Sequence, residues 1–130
     1  MQVLSIEDDA LNRRVVRDML MVAGVAMDEA DSAETGLRMI DTMEFDVVLM
    51  DLRMPGMDGF TAIERIRARA DAKAQLPIIV ITADAAQNMR EQCLAHGADE
   101  LLLKPVAMEE LFEAIGKVIA SRSTGATLLV

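Results

Sequence analysis

Glu7 and Asp8 follow directly on the apolar run Val3-Leu4-Ser5-Ile6, and Asp51 ends the run Val47-Val48-Leu49-Met50. Thr82 closes Ile78-Ile79-Val80-Ile81, and Lys104 closes Leu101-Leu102-Leu103. Carboxylates crowded together repel one another, and a hard divalent cation removes that cost. Mg2+ takes oxygen ligands, keeps several waters and favours one or two carboxylates together with a phosphoryl oxygen. A carboxylate beside such a cation is a competent nucleophile for phosphoryl transfer, giving an acyl phosphate. A hydroxyl and an ammonium can each hold an oxygen of the transferred group. Little more is needed, because this transfer runs on positioning and charge neutralisation. Taken singly, each residue has an ordinary reading: a strand-end acid as a helix cap or solvated loop residue, Thr82 as structural, Lys104 as a surface charge. Asp9 is read that way, as an exposed residue or cap. Their coincidence at successive strand ends is what points to a site.

These side chains meet only if their strands lie side by side. The runs Val3–Ile6, Val47–Met50 and Ile78–Ile81 are nearly continuous and rich in β-branched residues, as strands are when both faces are covered. Val25–Met27 and Leu101–Leu103 complete a set of five. Between them the spacing predicts helices over 11–23, 33–43, 59–70, 85–96 and 107–120. Ser32 and Asp58 are expected N-caps, and Gly24 and Gly97 are expected stops. Strict alternation of strand and helix means an α/β domain with right-handed crossovers and helices on both faces. In such a sheet, ligands sit beyond the carboxyl ends of the strands, where the strand order reverses.

The 130 residues suit one domain, and at 52% hydrophobic they can bury a core. A net charge of −9 argues against nucleic acid as the ligand. No apolar run approaches a membrane span, and no signal peptide opens the chain. The single cysteine, Cys93, reads as core in a reducing, cytoplasmic setting. With only three aromatic residues, the eleven methionines read as core filling rather than as ligands. His96, in the last turn before Gly97, reads as a helix C-terminal residue. Ser121–Val130 shows no helical pattern and is expected to be a tail or linker stub after a domain over 1–120, with Leu128-Leu129-Val130 as a stretch that could dock.

The motifs "VLSIEDD", "VVLMDLRMPGMDG", "PIIVITA" and "GADELLLKP" resemble, in order and spacing, the receiver domain of bacterial two-component response regulators, the CheY-like family. The resemblance covers roughly residues 2 to 120. It implies a flavodoxin-like (βα)5 doubly wound parallel sheet of strand order 2-1-3-4-5. It also implies that Asp51 is the phosphoacceptor, taking a phosphoryl group from a phosphohistidine. Glu7, Asp8, Asp51 and the backbone carbonyl of Arg53 would hold Mg2+, with Thr82 and Lys104 on the phosphoryl group. Pro105 would follow a cis peptide bond, Pro55 would fix the loop and Gly59 would belong to the turn after the site. The partners implied are a histidine kinase or histidine phosphotransfer protein, contacting the region around Leu11 with help from Arg13, Arg14 and Arg17, and a downstream protein on the face including Leu101. For the arginines the competing reading is a solvated face with an Arg14–Asp18 pair. The resemblance is to receivers of hybrid kinases and phosphorelays. Without an output segment, the chain reads as a stand-alone regulator or as a receiver cut from a larger one, and Met1 directly before the first strand leans towards a native start.

Three residues depart from the family's usual pattern: Glu7 for Asp, Leu101 for the aromatic that couples to Thr82, and Arg53 for a small or polar residue. Arg53 and Asp84, two residues past Asp51 and Thr82, could pair over the pocket mouth and hinder attacking water. The competing reading, placed ahead, is a capping box from Asp84 to Gln87. An aspartyl-phosphate hydrolase of the haloacid-dehalogenase type wants a second Asp where Arg53 stands. A flavodoxin wants a phosphate loop where Glu7-Asp8-Asp9 would repel phosphate. A degenerate receiver acting as an unphosphorylated interaction module is opposed by the intact set Asp8, Asp51, Thr82 and Lys104.

Overall fold

The computed structural model describes the backbone of residues 1–128 and the side chains of residues 1–122. Five parallel strands, β1 (Gln2–Ile6), β2 (Ala26–Ala30), β3 (Val47–Met50), β4 (Ile78–Thr82) and β5 (Glu100–Leu103), form one sheet in the order β2-β1-β3-β4-β5. The helices are α1 (Ala10–Val22), α2 (Ala33–Thr42), α3 (Gly59–Arg67), α4 (Met89–His96) and α5 (Met108–Leu128), with a 3-10 turn over Ala72–Gln75. This is the flavodoxin-like topology expected.

Side-chain alternation along the strands builds two cores. Leu4, Ile6, Val48, Met50, Ile78 and Val80 face α2, α3 and α4, meeting Ile40, Ile63, Ile66, Met89 and Cys93. Val3, Val47, Leu49, Ile79 and Ile81 face α1 and α5, meeting Val16, Leu20, Leu111, Ile115 and Val118. Central strands buried on both sides are why those runs read as unbroken apolar stretches. Truncating a fully buried member such as Ile63 to Ala costs about 2–5 kcal/mol.

The caps at Ser32 and Asp58 form, each side chain accepting from the backbone N–H three residues on. Asp9 caps α1 by accepting from Leu11 and Asn12. Gly97 ends α4 in the left-handed region. Five expectations are corrected. The second strand lies at Ala26–Ala30 rather than 25–27, because Asp28 and Glu29 are satisfied by Gln2 on one side and by Arg13 and Arg17 on the other. The fourth helix begins at Met89 and not at 85, because the Asp84 side chain closes a local turn onto the Ala86 N–H (3.0 Å). Val15, Leu94 and Met108, whose apolar spacing contributes to the predicted first, fourth and fifth helices, are exposed rather than buried. No Arg14–Asp18 pair forms among the described residues; the neighbouring Arg13 and Arg17 turn to Glu29.

The fifth correction concerns the end of the chain. The last helix continues to Leu128 instead of stopping at 120. Arg122 fixes this extension, donating to Asp99 Oδ1 (3.0 and 2.7 Å) and to Gln75 Oε1 (2.6 Å). Asp99 also accepts from Arg67 and from the Ile78 N–H that leads into β4. Arg67 spends its other donors on the carbonyls of Gly97, Ala74 and Leu76. Burial and the nearby Arg122 charge push the Arg67 guanidinium down to about 10, against the pull of Asp99. The expectation about Leu128-Leu129-Val130 lies outside the described side chains.

Candidate functional site

The strand order reverses between β1 and β3, so the loops after these two strands diverge and leave a rim. Asp51 sits on that rim, nearly buried, its N–H donating to the Ile6 carbonyl (3.0 Å). The loop behind it is held tightly. A Cβ on Gly59 would lie 2.5 Å from the Asp51 carbonyl and 2.8 Å from Leu52 Cα, so only glycine lets α3 start against the end of β3. Gly56 has φ +81, and the next N–H, that of Met57, donates to Glu34 Oε1 (2.9 Å). That bond is the largest cause holding the Glu34 carboxyl below its ordinary value.

Glu7, Asp8 and Asp51 each offer a carboxylate oxygen, and these lie within 4.8 Å of one another. Glu7 and Asp51 are buried while Asp8 faces out. Partial desolvation, and after it contact with the Glu7 carboxyl, raises the Asp8 carboxyl above its ordinary value. Lys104 Nζ donates to Glu7 Oε1 (2.6 Å) and stands 3.8 Å from Asp51 Oδ1. The Lys104–Pro105 peptide is cis, as expected, and the Lys104 N–H donates to the Thr82 carbonyl (2.8 Å). Thr82 is 1% exposed; its hydroxyl oxygen accepts from the Asp84 N–H (3.1 Å), leaving its own proton free to donate. The fold thus brings together Glu7, Asp8, Asp51, Thr82 and Lys104.

The cluster fits a hard divalent cation. Its donor set is all oxygen, and Glu7 Oε2 is a buried acceptor without a hydrogen-bond partner among the described residues. A pocket of about 380 Å³ opens on the Asp51 side of the cluster, lined by Asp51, Arg53, Thr82, Asp84 and Lys104. Arg53 Nη2 and Asp84 Oδ2 close to 2.5 Å at its mouth. Asp84 therefore pairs with Arg53 and, among the described residues, caps no helix, so the capping box expected from Asp84 to Gln87 does not form. A second cleft of about 330 Å³ adjoins the acids between α1 and the β5–α5 loop, walled by Val15, Val16, Pro105 and Val106. Leu11 stands beside it, 69% exposed. Leu101 is half-buried and packs on the core beneath α3 and α4. His96 stacks on Phe60, centroids 4.2 Å apart, and contacts Glu64 (2.9 Å).

Two contacts escaped the sequence. Glu34 reaches the loop after Asp51 across 23 positions, a separation that leaves no local signal. Arg13, read as a partner contact, turns inward to Glu29 and to the Glu7 carbonyl (2.7 Å). The sequence reading ends the second strand before Glu29, so nothing local pairs that acid with Arg13.

Comparison with known proteins agrees with this geometry. The model of the response regulator receiver domain matches residues 3–116. The chain is 34% identical over 118 residues to sensor protein GacS of Pseudomonas syringae pv. syringae and 32% identical over 115 residues to sensor histidine kinase RcsC of Salmonella typhi. These matches take in 89% and 88% of this chain but only 13% and 12% of those proteins, so it spans about an eighth of their length. Among solved structures it resembles the receiver domain of sensor histidine kinase PA1611 from Pseudomonas aeruginosa PAO1, at 33% identity and a TM-score of 0.83, over 92% of this chain and 97% of that one. That structure holds a magnesium ion coordinated in its active site cleft. On its sequence, its strand order and the acidic rim at its switch point, the chain belongs to the response regulator receiver domain family.

Proposed function

We propose that the chain is a phosphoacceptor of a two-component system or phosphorelay, taking a phosphoryl group from a phosphohistidine onto Asp51. The observation that carries this is the meeting of one nearly buried carboxylate, Asp51, with two further acids, a lysine and a buried threonine at a single rim. Mg2+ would be held by the carboxylates of Glu7, Asp8 and Asp51 and by the backbone carbonyl of Arg53. When bound, it neutralises the charge that builds up on the phosphoryl oxygens. An Asp51 oxygen attacks phosphorus, the P–O bond forms as the P–N bond breaks, and the imidazole leaves. Lys104 is poised to pair with one phosphoryl oxygen, and Thr82 to donate its free hydroxyl proton to another. The same site would catalyse slow hydrolysis of the acyl phosphate and no other turnover.

The donor helix docks over Leu11, whose exposed side chain stands beside the apolar cleft leading to Asp51. The downstream protein reads the face including Leu101, and without an aromatic there the Thr82 movement passes through other contacts. The family's role and the absence, among the described residues, of any helix long and apolar enough to cross a membrane support a cytoplasmic setting. We place the end of the domain beyond residue 120, because α5 continues without a break and Arg122 is tied to Asp99 and Gln75. Phosphotransfer from a panel of phosphorylated histidine kinases tests the reading. Wild type is labelled and Asp51→Asn is not. Leu11→Asp slows transfer from the kinase while leaving labelling by a small acyl phosphate unchanged, and equal slowing of both contradicts the docking assignment.

A further inference from the structure

Glu7 and Asp8 sit on the short loop between β1 and α1, and their carboxylates can converge only if that backbone is held. Arg13 lies in the first turn of α1 and its side chain leans back towards the helix N-terminus, as helical side chains do. Its Nη1 donates to the Glu7 carbonyl (2.7 Å) and its Nε to Glu29 Oε1 (3.0 Å). Glu29 is on β2, in register with Ser5, and the Glu7 N–H donates to the Ala30 carbonyl (3.0 Å). The Glu7 peptide groups are thus held on both sides, by β2 at the N–H and by Arg13 at the carbonyl. Arg17 takes the other oxygen of Glu29 and makes no bond to Glu7.

We propose that Arg13, braced by Glu29, is a positioning residue for the divalent cation. It fixes the Glu7 carbonyl and so the backbone from which the Glu7 and Asp8 carboxylates project. The inference rests on the cation reading given above. A guanidinium suits the task because its fork serves a carbonyl and a carboxylate at once, whereas an ammonium offers a point donor.

Removing Arg13 has two opposed effects on cation affinity. Losing its positive charge near three acids tightens binding; losing the grip on the loop weakens it. Arg17 supplies the control, since Arg17→Ala removes the same charge from the same carboxylate without touching Glu7. The test is calorimetric titration of the chain with Mg2+ alone. The expected result is binding about tenfold weaker in Arg13→Ala, the size usual for loss of a contact behind a metal ligand. Arg17→Ala matches or exceeds wild-type affinity, and Arg13→Lys falls between Arg13→Ala and wild type. Saturating Mg2+ returns Arg13→Ala to the wild-type rate of labelling by an acyl phosphate. Wild-type or tighter affinity in Arg13→Ala overturns this inference alone, whereas no binding by wild type overturns the cation reading and this inference with it. Should Arg13→Ala fail to fold, Arg13→Lys carries the test: weaker binding than in Arg17→Ala supports the proposal, and equal binding overturns it.

Discussion

At the scale of single residues, the rim is a problem in charge. Glu7, Asp8 and Asp51 crowd together with one lysine to offset them, so an arriving cation meets a site that already favours it. Arg53 and Asp84 stand over the mouth and touch no carboxylate of the cluster. If they hinder attacking water, Arg53→Ala shortens the lifetime of phospho-Asp51. An exposed ion pair contributes about 0–1 kcal/mol, so the change is at most about fivefold. Lifetimes measured after quenching the donor check this, and an unchanged lifetime removes the role. The pair also has a pH signature. The Ala86 N–H, and after it Arg53, hold the Asp84 carboxyl below its ordinary value. A depressed carboxyl keeps its contacts above the ordinary range and loses them as pH falls through the folded value. Carboxyl NMR titration of Arg53→Ala is expected to move Asp84 upward but short of its ordinary value, because the Ala86 bond persists.

At the scale of elements, the site depends on how closely helices approach strand ends. Gly59 has no room for a methyl against the Asp51 carbonyl, so Gly59→Ala displaces the nucleophile and the start of α3 together. The expected outcome is a loss of about 1–3 kcal/mol, the cost of a forced contact in a packed region, and slower labelling of Asp51 at saturating Mg2+. Denaturant unfolding and labelling rates measure both. Elements are also where sequence reasoning succeeds and fails for physical reasons. The central strands β1, β3 and β4 are legible because burial on both faces leaves them few polar residues, Gln2 and Ser5 in β1 and Thr82 in β4, so the charged residues just past their ends stand out. The edge strand β2 is not, since Asp28 and Glu29 look like loop until Gln2, Arg13 and Arg17 are seen to satisfy them. The start of α4 misleads because Asp84-Ala-Ala-Gln87 offers capping chemistry that is spent on an Arg53 pair and a local turn. The end of α5 misleads because its anchor, Asp99, is distant in sequence.

At the scale of the whole molecule, two regions tie the domain together. At the amino ends of the strands, Asp99 joins Arg67, Arg122 and the entry to β4. Arg67→Met leaves three carbonyls and part of Asp99 without their donors, and is expected to cost about 3 kcal/mol in denaturant unfolding. At the carboxyl ends lies the acidic rim, where a bound cation would draw β1, β3 and their loops together. Mg2+ at about a hundred times its dissociation constant should therefore stabilise the fold by about 2.7 kcal/mol, with chelation reversing the gain and Glu7→Gln abolishing most of it. Thermal unfolding with and without Mg2+ reads this directly. The central claim is that Asp51 is the phosphoacceptor, and one measurement addresses it: incubate the chain with Mg2+ and a small acyl-phosphate donor, then locate any adduct by peptide mass spectrometry. A single phosphoryl group on Asp51, absent from Asp51→Asn and from samples with chelator, is the predicted result. No adduct, or an adduct that persists in Asp51→Asn, would contradict it.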